Sequence, residues 1–296
     1  MKIYKFNEKK LVWFSLSMII IMIGFSLMAY RGIKNESTLN YGIDFVGGTT
    51  FLLKLQEDIP SNSKLSEIIR NNLKQFNLEK SIIQISNKNE VHIKTLELTG
   101  VSQKNILESL ESSIPKFEIL EIDFIGPTIG NELKRTSFWI TICTSIVLLL
   151  YISIRFQLNY GIASLLALLH DALITISIAS IFNLEINTSF VAAILTILGY
   201  SINDTIVIFD RIRENAKKLK EKLTFEKIID KAISQTLIRT INTSMTTLLV
   251  LVTLILFGGS TIKEFCVILF IGVISGTYSS LFIASPILLI FNKNKK

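Results

Sequence analysis

The stretch GYSINDTIVIFDRIREN, Gly199 to Asn215, decides how this chain is read. It begins inside an apolar run, places Asn203 and Asp204 within that run, and ends in alternating charges from Asp210 onward. An ionised Asp at mid-bilayer costs about 2.5–3.5 kcal/mol on insertion scales. Keeping the same acid protonated at neutral pH costs about 4 kcal/mol from a reference pKa near 3.9. Because the two costs are close, neighbours decide the charge: loss of water favours the acid, and a nearby cation favours the carboxylate. Asp204 lies about six residues, roughly 9 Å, from the charged end at Asp210, a depth that a purely structural, hydrogen-bonded Asp also tolerates.

The rest of the chain agrees with a membrane reading. Of its 296 residues 49% are hydrophobic, and the mean hydropathy is +0.49, above that of soluble domains. Six apolar runs approach the ~20 residues that a bilayer requires. They are Leu11 to Tyr30, Phe138 to Ile154, Tyr160 to Phe182, Ser189 to Phe209, Leu237 to Phe257 and Phe265 to Phe291. The first is long enough to span and ends in LMAYRG, a poor cleavage site, so it is read as an uncleaved span rather than a signal peptide. The net charge of +7 comes from Lys and Arg clustered beside these runs, which is the positive-inside pattern rather than a nucleic-acid surface. Lys2 to Lys10, Arg155, the block Arg211 to Arg239 and Lys293 to Lys296 all fall on one face, predicted cytoplasmic. The expected division is a cytoplasmic N-terminus at 1–10, a first span at 11–30 and an extracytoplasmic domain at 31–136. A five-helix bundle follows at 137–292, with a basic amphipathic connector at 211–236 and a cytoplasmic tail at 293–296.

The polar insert has its own pattern. TTFLLKL, Thr49 to Leu55, reads as a strand. Ser61 to Phe76 carries Leu65, Ile68, Ile69, Leu73 and Phe76 at helical spacing, with Ser61 or Ser63 as a cap. SIIQIS and VHIKTLEL around the polar NKNE read as a hairpin. VSQKNILESLESSI reads as a second helix capped by Ser102, and KFEILEIDFIG closes as a strand. The order β-α-β-β-α-β predicts a small α+β ferredoxin-like domain with both helices on one face of the sheet.

Polar residues recur inside the spans. Ala192, Thr196, Gly199, Asn203 and Asp204 share one face of the fourth, and Leu195, Leu198, Ile202, Ile206 and Phe209 form an apolar face expected toward lipid. Ser164, Ala167, Asp171 and Thr175 form a stripe in the third, beside His170. Arg239, Asn242, Thr243, Thr246 and Thr253 line one side of the fifth. Acids and a base on three separate spans point to proton coupling, because intramembrane ionisable groups mark ion pathways. Outside the first span, GIDFVGGTT offers Gly42, Asp44, Gly47 and Gly48; it reads as a structured turn, since no Lys follows in the phosphate-loop position. GVISG, Gly272 to Gly276, reads as close helix packing. Cys143 and Cys266 sit in apolar runs with no metal-ligand spacing. No nucleotide or nucleophile motif is present, so neither enzyme chemistry nor a cofactor is expected.

GIDFVGGT, the HD of the third span, GYSINDTIVIFDRIREN and the RT-x-x-TS of Arg239 to Ser244 together resemble the SecF family. Its members are the smaller membrane subunits of bacterial SecD–SecF export complexes, in the resistance-nodulation-division superfamily. The resemblance implies SecD as partner, and SecYEG, SecA and YajC in a wider translocase at the bacterial cytoplasmic membrane. It implies a membrane protein with both termini in the cytoplasm, in contact with lipid and with unfolded preprotein, drawing on the proton motive force. It places a proton-responsive Asp at Asp204 and an Arg at Arg239. The alternative is a proton-driven small-molecule or lipid exporter of the same superfamily, which usually carries two large inserts in one chain.

Overall fold

The computed structural model describes residues 4, 6–56, 62–79, 81–85, 89–95, 98, 100–219 and 221–293. Among them, six helices are long and apolar enough to cross a membrane. Two compact units result: residues 41–138, and residues 1–40 with 139–296.

The smaller unit holds β1 (Gly48–Leu55), α2 (Asn62–Lys74), β2 (Ile82–Ile85), β3 (Glu90–Thr95), α3 (Gly100–Glu111) and β4 (Phe117–Ile125). α1 is the first spanning helix, Lys10–Ile33. The four strands form one antiparallel sheet in the order β2-β3-β1-β4. Alternation selects the core: Phe51, Leu53 and Leu55 of β1 and Val91 and Ile93 of β3 face one side, where Leu65, Ile69 and Leu73 of α2 and Ile106 and Leu110 of α3 cover them. Ile68, expected in that core, is exposed because it lies off the Leu65–Ile69–Leu73 stripe. Asn72 of α2 donates to Ser113 Oγ and accepts from Ser109, tying the two helices together. Ser63 and Ser102 lie inside the first turns of α2 and α3 rather than at their caps; Ser61, the other expected cap of α2, lies outside the described residues, as do residues 87 and 88 of NKNE. β4 is an edge strand and leaves Ile119, Ile122 and Phe124 on the surface.

The glycine pair has a local explanation. A single helical turn, Ile43–Val46, ends at Gly47 with φ 79° and ψ 158°, a conformation essentially reserved for glycine. Gly48 follows at φ 148°, where an added Cβ would lie 2.4 Å from the Thr95 carbonyl oxygen. Gly130 meets the same turn, so close that its Cβ would lie 3.1 Å from Gly47 N.

The larger unit contains α1, α4 (Pro127–Arg155, which begins in the smaller unit), α5 (Leu158–Ile181), α6 (Thr188–Leu219) and α7 (Phe225–Phe257). α8 (Ser260–Ser279), a π turn (Ser280–Ala284) and α9 (Ser285–Lys293) complete it. The basic connector expected at 211–236 is largely helical continuation: α6 runs 32 residues and α7 33. α5, α6 and α8 form the packed centre, and α4 and α7 are mostly surface. GVISG works as read: a Cβ on Gly272 would meet Ile197 at 2.0 Å and one on Gly276 would meet Ser201 at 2.9 Å, so the missing side chains let α8 lie directly on α6. Asn7 donates through its backbone and side-chain nitrogens to Asp230 Oδ1, at 3.1 and 2.9 Å. The N-terminal turn therefore sits at the start of α7.

Gly48→Ala should destabilise the smaller unit by about 1–3 kcal/mol, the usual cost of such backbone strain. Hydrogen exchange of the β1 and β3 amides in the full chain reads this directly, and unchanged protection would contradict the assigned geometry.

Candidate functional site in the membrane bundle

Asp171 and Asp204 lie within the apolar runs of the third and fourth spans, and their surroundings are opposite. Asp171 on α5 has 0% exposure. Its Oδ2 accepts hydrogen bonds from Ser201 Oγ of α6 and Ser279 Oγ of α8, both at 2.7 Å. Its Oδ1 accepts from Ser275 Oγ of α8 at 2.8 Å and faces His170 Nδ1 at 3.1 Å. Charge-assisted hydrogen bonds contribute about 1.5–3 kcal/mol each. Four of them match the several kcal/mol that burying one ion costs. The expected stripe of Ser164, Ala167, Asp171 and Thr175 is buried throughout; Ser164 and Thr175 return their hydroxyls to their own helix.

Asp204 on α6 is 4% exposed, and its Oδ2 is buried with no hydrogen-bond partner among the described residues. Ser244 and Arg239 are the polar groups of α7 nearest in effect. Ser244 already donates to Thr240 O at 3.0 Å and meets Thr277 Oγ1 at 2.6 Å. Arg239 forms no ion pair with Asp204 in this conformation and is an exposed residue. It lines a cavity of about 240 Å³ at the charged end of the bundle, with Arg155, Asp210, Arg211 and Gln235. Thr243 donates to the Arg239 carbonyl at 2.9 Å. Directly after Asp204 in sequence, Thr205 shares a hydrogen bond with Ser280 at 2.9 Å where the π turn begins. Such turns mark places where a helix departs from regular geometry, frequently at functional sites.

The face of α6 expected toward lipid is instead the packed one: Leu198, Ile202 and Phe209 are buried. The small and polar stripe of Ala192, Thr196, Gly199 and Asn203 lies on the outer surface, and a Cβ on Gly199 would touch nothing within 4 Å. The apolar side chains turn inward because α8 and α5 offer them complementary surface. Asp204, one residue past Asn203, turns inward with them. Asn242, Thr246 and Thr253 of α7 are likewise on the surface. Gly42, Asp44, Gly47 and Gly48 belong to the smaller unit and build the turn described above. Sequence reading missed Ser201, Ser275 and Ser279. Their signal was available, since Ser275 and Ser279 repeat at four residues on the glycine face of α8.

Six helices long and apolar enough to cross a membrane, buried carboxylates among them, and one small α+β unit between the first and second in sequence define a polytopic membrane protein. Residues 105–294 match the C-terminal region of protein export membrane proteins SecD/SecF, and residues 37–59 match the SecD/SecF GG motif. The chain is 39% identical to the protein translocase subunit SecF of Sebaldella termitidis, over 99% of this chain and 93% of that one. It is 38% identical to the subunit of the same name from Rickettsia akari, with the same coverage. The crystal structure of SecDF from Thermus thermophilus, a translocon-associated membrane protein, superposes with a TM-score of 0.86 at 33% identity over 99% of this chain. SecDF in its super-membrane-facing form superposes with a TM-score of 0.71 at 31% identity. The chain spans 39% of the length of both SecDF chains. It belongs to the SecD/SecF family of protein export membrane proteins.

Gly276→Val should force α8 away from α6 and cost about 1–3 kcal/mol, as overpacking does. A lower thermal midpoint of the purified full chain in detergent is the expected reading, and an unchanged midpoint would refute the close contact.

Proposed function

We propose that the chain is a SecF-type subunit that couples the proton motive force to protein export. In this reading Asp204 takes up and releases the proton, and Arg239 stabilises its carboxylate when the two approach. The observation that carries it is the unpartnered, buried Oδ2 of Asp204. A buried carboxylate oxygen without a donor is costly. Protonation or a shift of Arg239 relieves that cost, so the site favours a change of state. Asp171, with its acceptor positions filled, has no such bias. The polar cavity lined by Arg239 lies at the charged end of the bundle, where water can reach that side chain. A charge crossing 100 mV releases about 2.3 kcal/mol, enough to bias two packings that differ by a few kcal/mol.

The positive-inside pattern puts both termini and the α6–α7 connection in the cytoplasm, and the Asn7–Asp230 contact fits that arrangement. Residues 31–136 then lie outside the cytoplasm as a ferredoxin-like domain, a reading supported by its element order and strand order. Its exposed β4 edge, with unpaired backbone groups and apolar side chains, suits an unfolded preprotein in extended form. SecD is the partner, and its helices cover the Ala192–Thr196–Gly199–Asn203 face, which lipid alone would leave poorly matched. SecYEG, SecA and YajC complete the machinery, and the subunit itself catalyses no reaction.

Asp204→Asn should reduce proton-gradient-dependent export to the level seen without the subunit, while membrane insertion stays normal. Export at the unmutated level would end the proposal. Gly199→Trp adds bulk where the bundle itself has open space; it should abolish co-purification with a SecD-type partner and leave the thermal midpoint of the isolated chain unchanged.

A further inference from the structure

Three apolar runs stop at one cavity. Arg155 directly follows the run that ends at Ile154, Asp210 follows the run that ends at Phe209, and Gln235 and Thr236 precede the run that begins at Leu237. All four line the cavity of about 240 Å³ that Arg239 also lines. A bilayer places its head groups where apolar runs end, so the cavity lies at the level of lipid phosphates. The rings beside it agree. Phe156 stacks on Tyr160 with centroids 5.8 Å apart, and Tyr160 meets Phe209 edge-on at 5.2 Å; tyrosine gathers at that level of a membrane.

The charges of the cavity are unbalanced. Glu214 is held by Arg211 Nη1 at 2.7 Å and by Lys218 Nζ at 2.8 Å. Asp210 is the other acid of the lining, set against Arg155 and Arg239. Among the described residues neither of these arginines has a carboxylate within ion-pair distance. Arg213 adds a further cation beside them, its Nη1 reaching the Arg155 carbonyl at 3.4 Å. Guanidinium groups grip phosphate oxygens through paired N–H donors. The apolar part of the lining is Phe156, Ile206 and Val207. Ile154, Ile238 and Ile241, sequence neighbours of Arg155 and Arg239, are exposed and offer acyl chains an apolar surface. The cavity is smaller than the ~300–1,000 Å³ of pockets that bury a drug-sized ligand, so it takes a head group and leaves the chains outside. A soluble anion would use the arginines alone; the apolar lining and the level in the bilayer favour a lipid.

We propose that this cavity binds the head group of an anionic phospholipid, with the phosphate diester held by Arg155 and Arg239 and the chains lying along α4 and α7. The proposal stands independently of the role given to Asp204.

The test places the full chain in phosphatidylcholine nanodiscs with a minor share of chain-labelled phosphatidylglycerol or chain-labelled phosphatidylcholine, and electron spin resonance reads the immobilised fraction of each. Phosphatidylglycerol should be preferred. Arg239 is left in place because it is assigned a part at Asp204. Arg155→Gln should lower the preference roughly fivefold, the equivalent of the about 1 kcal/mol that one basic side chain contributes near a membrane surface. Lys222→Gln removes the same charge from the α6–α7 connection, outside the cavity, and should leave the preference unchanged. Val207→Trp fills the cavity at constant charge and should also lower it; if that variant does not fold, Arg155→Gln decides. Absence of a preference, or an equal loss in Lys222→Gln from diffuse attraction alone, overturns the proposal. So does displacement of the lipid by added inorganic phosphate, which would mark a soluble-anion site. Loss of the preference once a SecD-type partner binds would assign the cavity to that partner and overturn it as well.

Discussion

A carboxylate inside a bilayer has no water to solvate it, so the protein must supply every donor or leave the group under strain. The bundle does both. Asp171 receives donors from α6 and α8 and faces His170 on its own helix. Asp204 keeps an oxygen without a partner. The first arrangement fastens three helices around one carboxyl group. The second leaves a group whose best protonation state depends on what α7 brings near it.

The surrounding packing follows from these requirements. Ser275 and Ser279 can reach Asp171 because Gly272 and Gly276 let α8 lie against α6. Larger residues at those positions would hold the helices apart, and the hydroxyls would no longer bridge. The π turn at Ser280–Ala284 comes directly after this contact and resumes the helix with a changed phase. Ser280 there bonds both Thr205 and the Ser201 carbonyl. The outward threonines of α7 turn their hydroxyls back to their own backbone.

Membership of the SecD/SecF family fits the surface as well as the interior. The outward stripe of Ala192, Thr196, Gly199 and Asn203 is small and weakly polar, which favours close contact with another helix over contact with acyl chains. In the smaller unit, both helices cover one face of the sheet, and the β4 edge stays open. The glycine turn at Gly47–Gly48 brings the backbone within contact of Pro127 and Thr95, distances that no side chain at either position would allow.

The sequence alone determined the six spans, the β-α-β-β-α-β order, the close packing at Gly272–Gly276 and the candidacy of Asp171, Asp204 and Arg239. Each rests on local signals: run length, side-chain period, and the cost of charge in lipid. Which face of α6 packs inward was decided only by the tertiary structure, since period reveals that two faces differ without telling which neighbour covers each. Tertiary contact also separated the two acids. Asp171 and Asp204 look alike in sequence, and only Ser201, Ser275 and Ser279, brought from two other helices, make one saturated and leave the other open. A hydrogen bond depends on position to within a few tenths of an ångström, and residues 30 to 108 positions apart in sequence acquire that precision only when the helices pack.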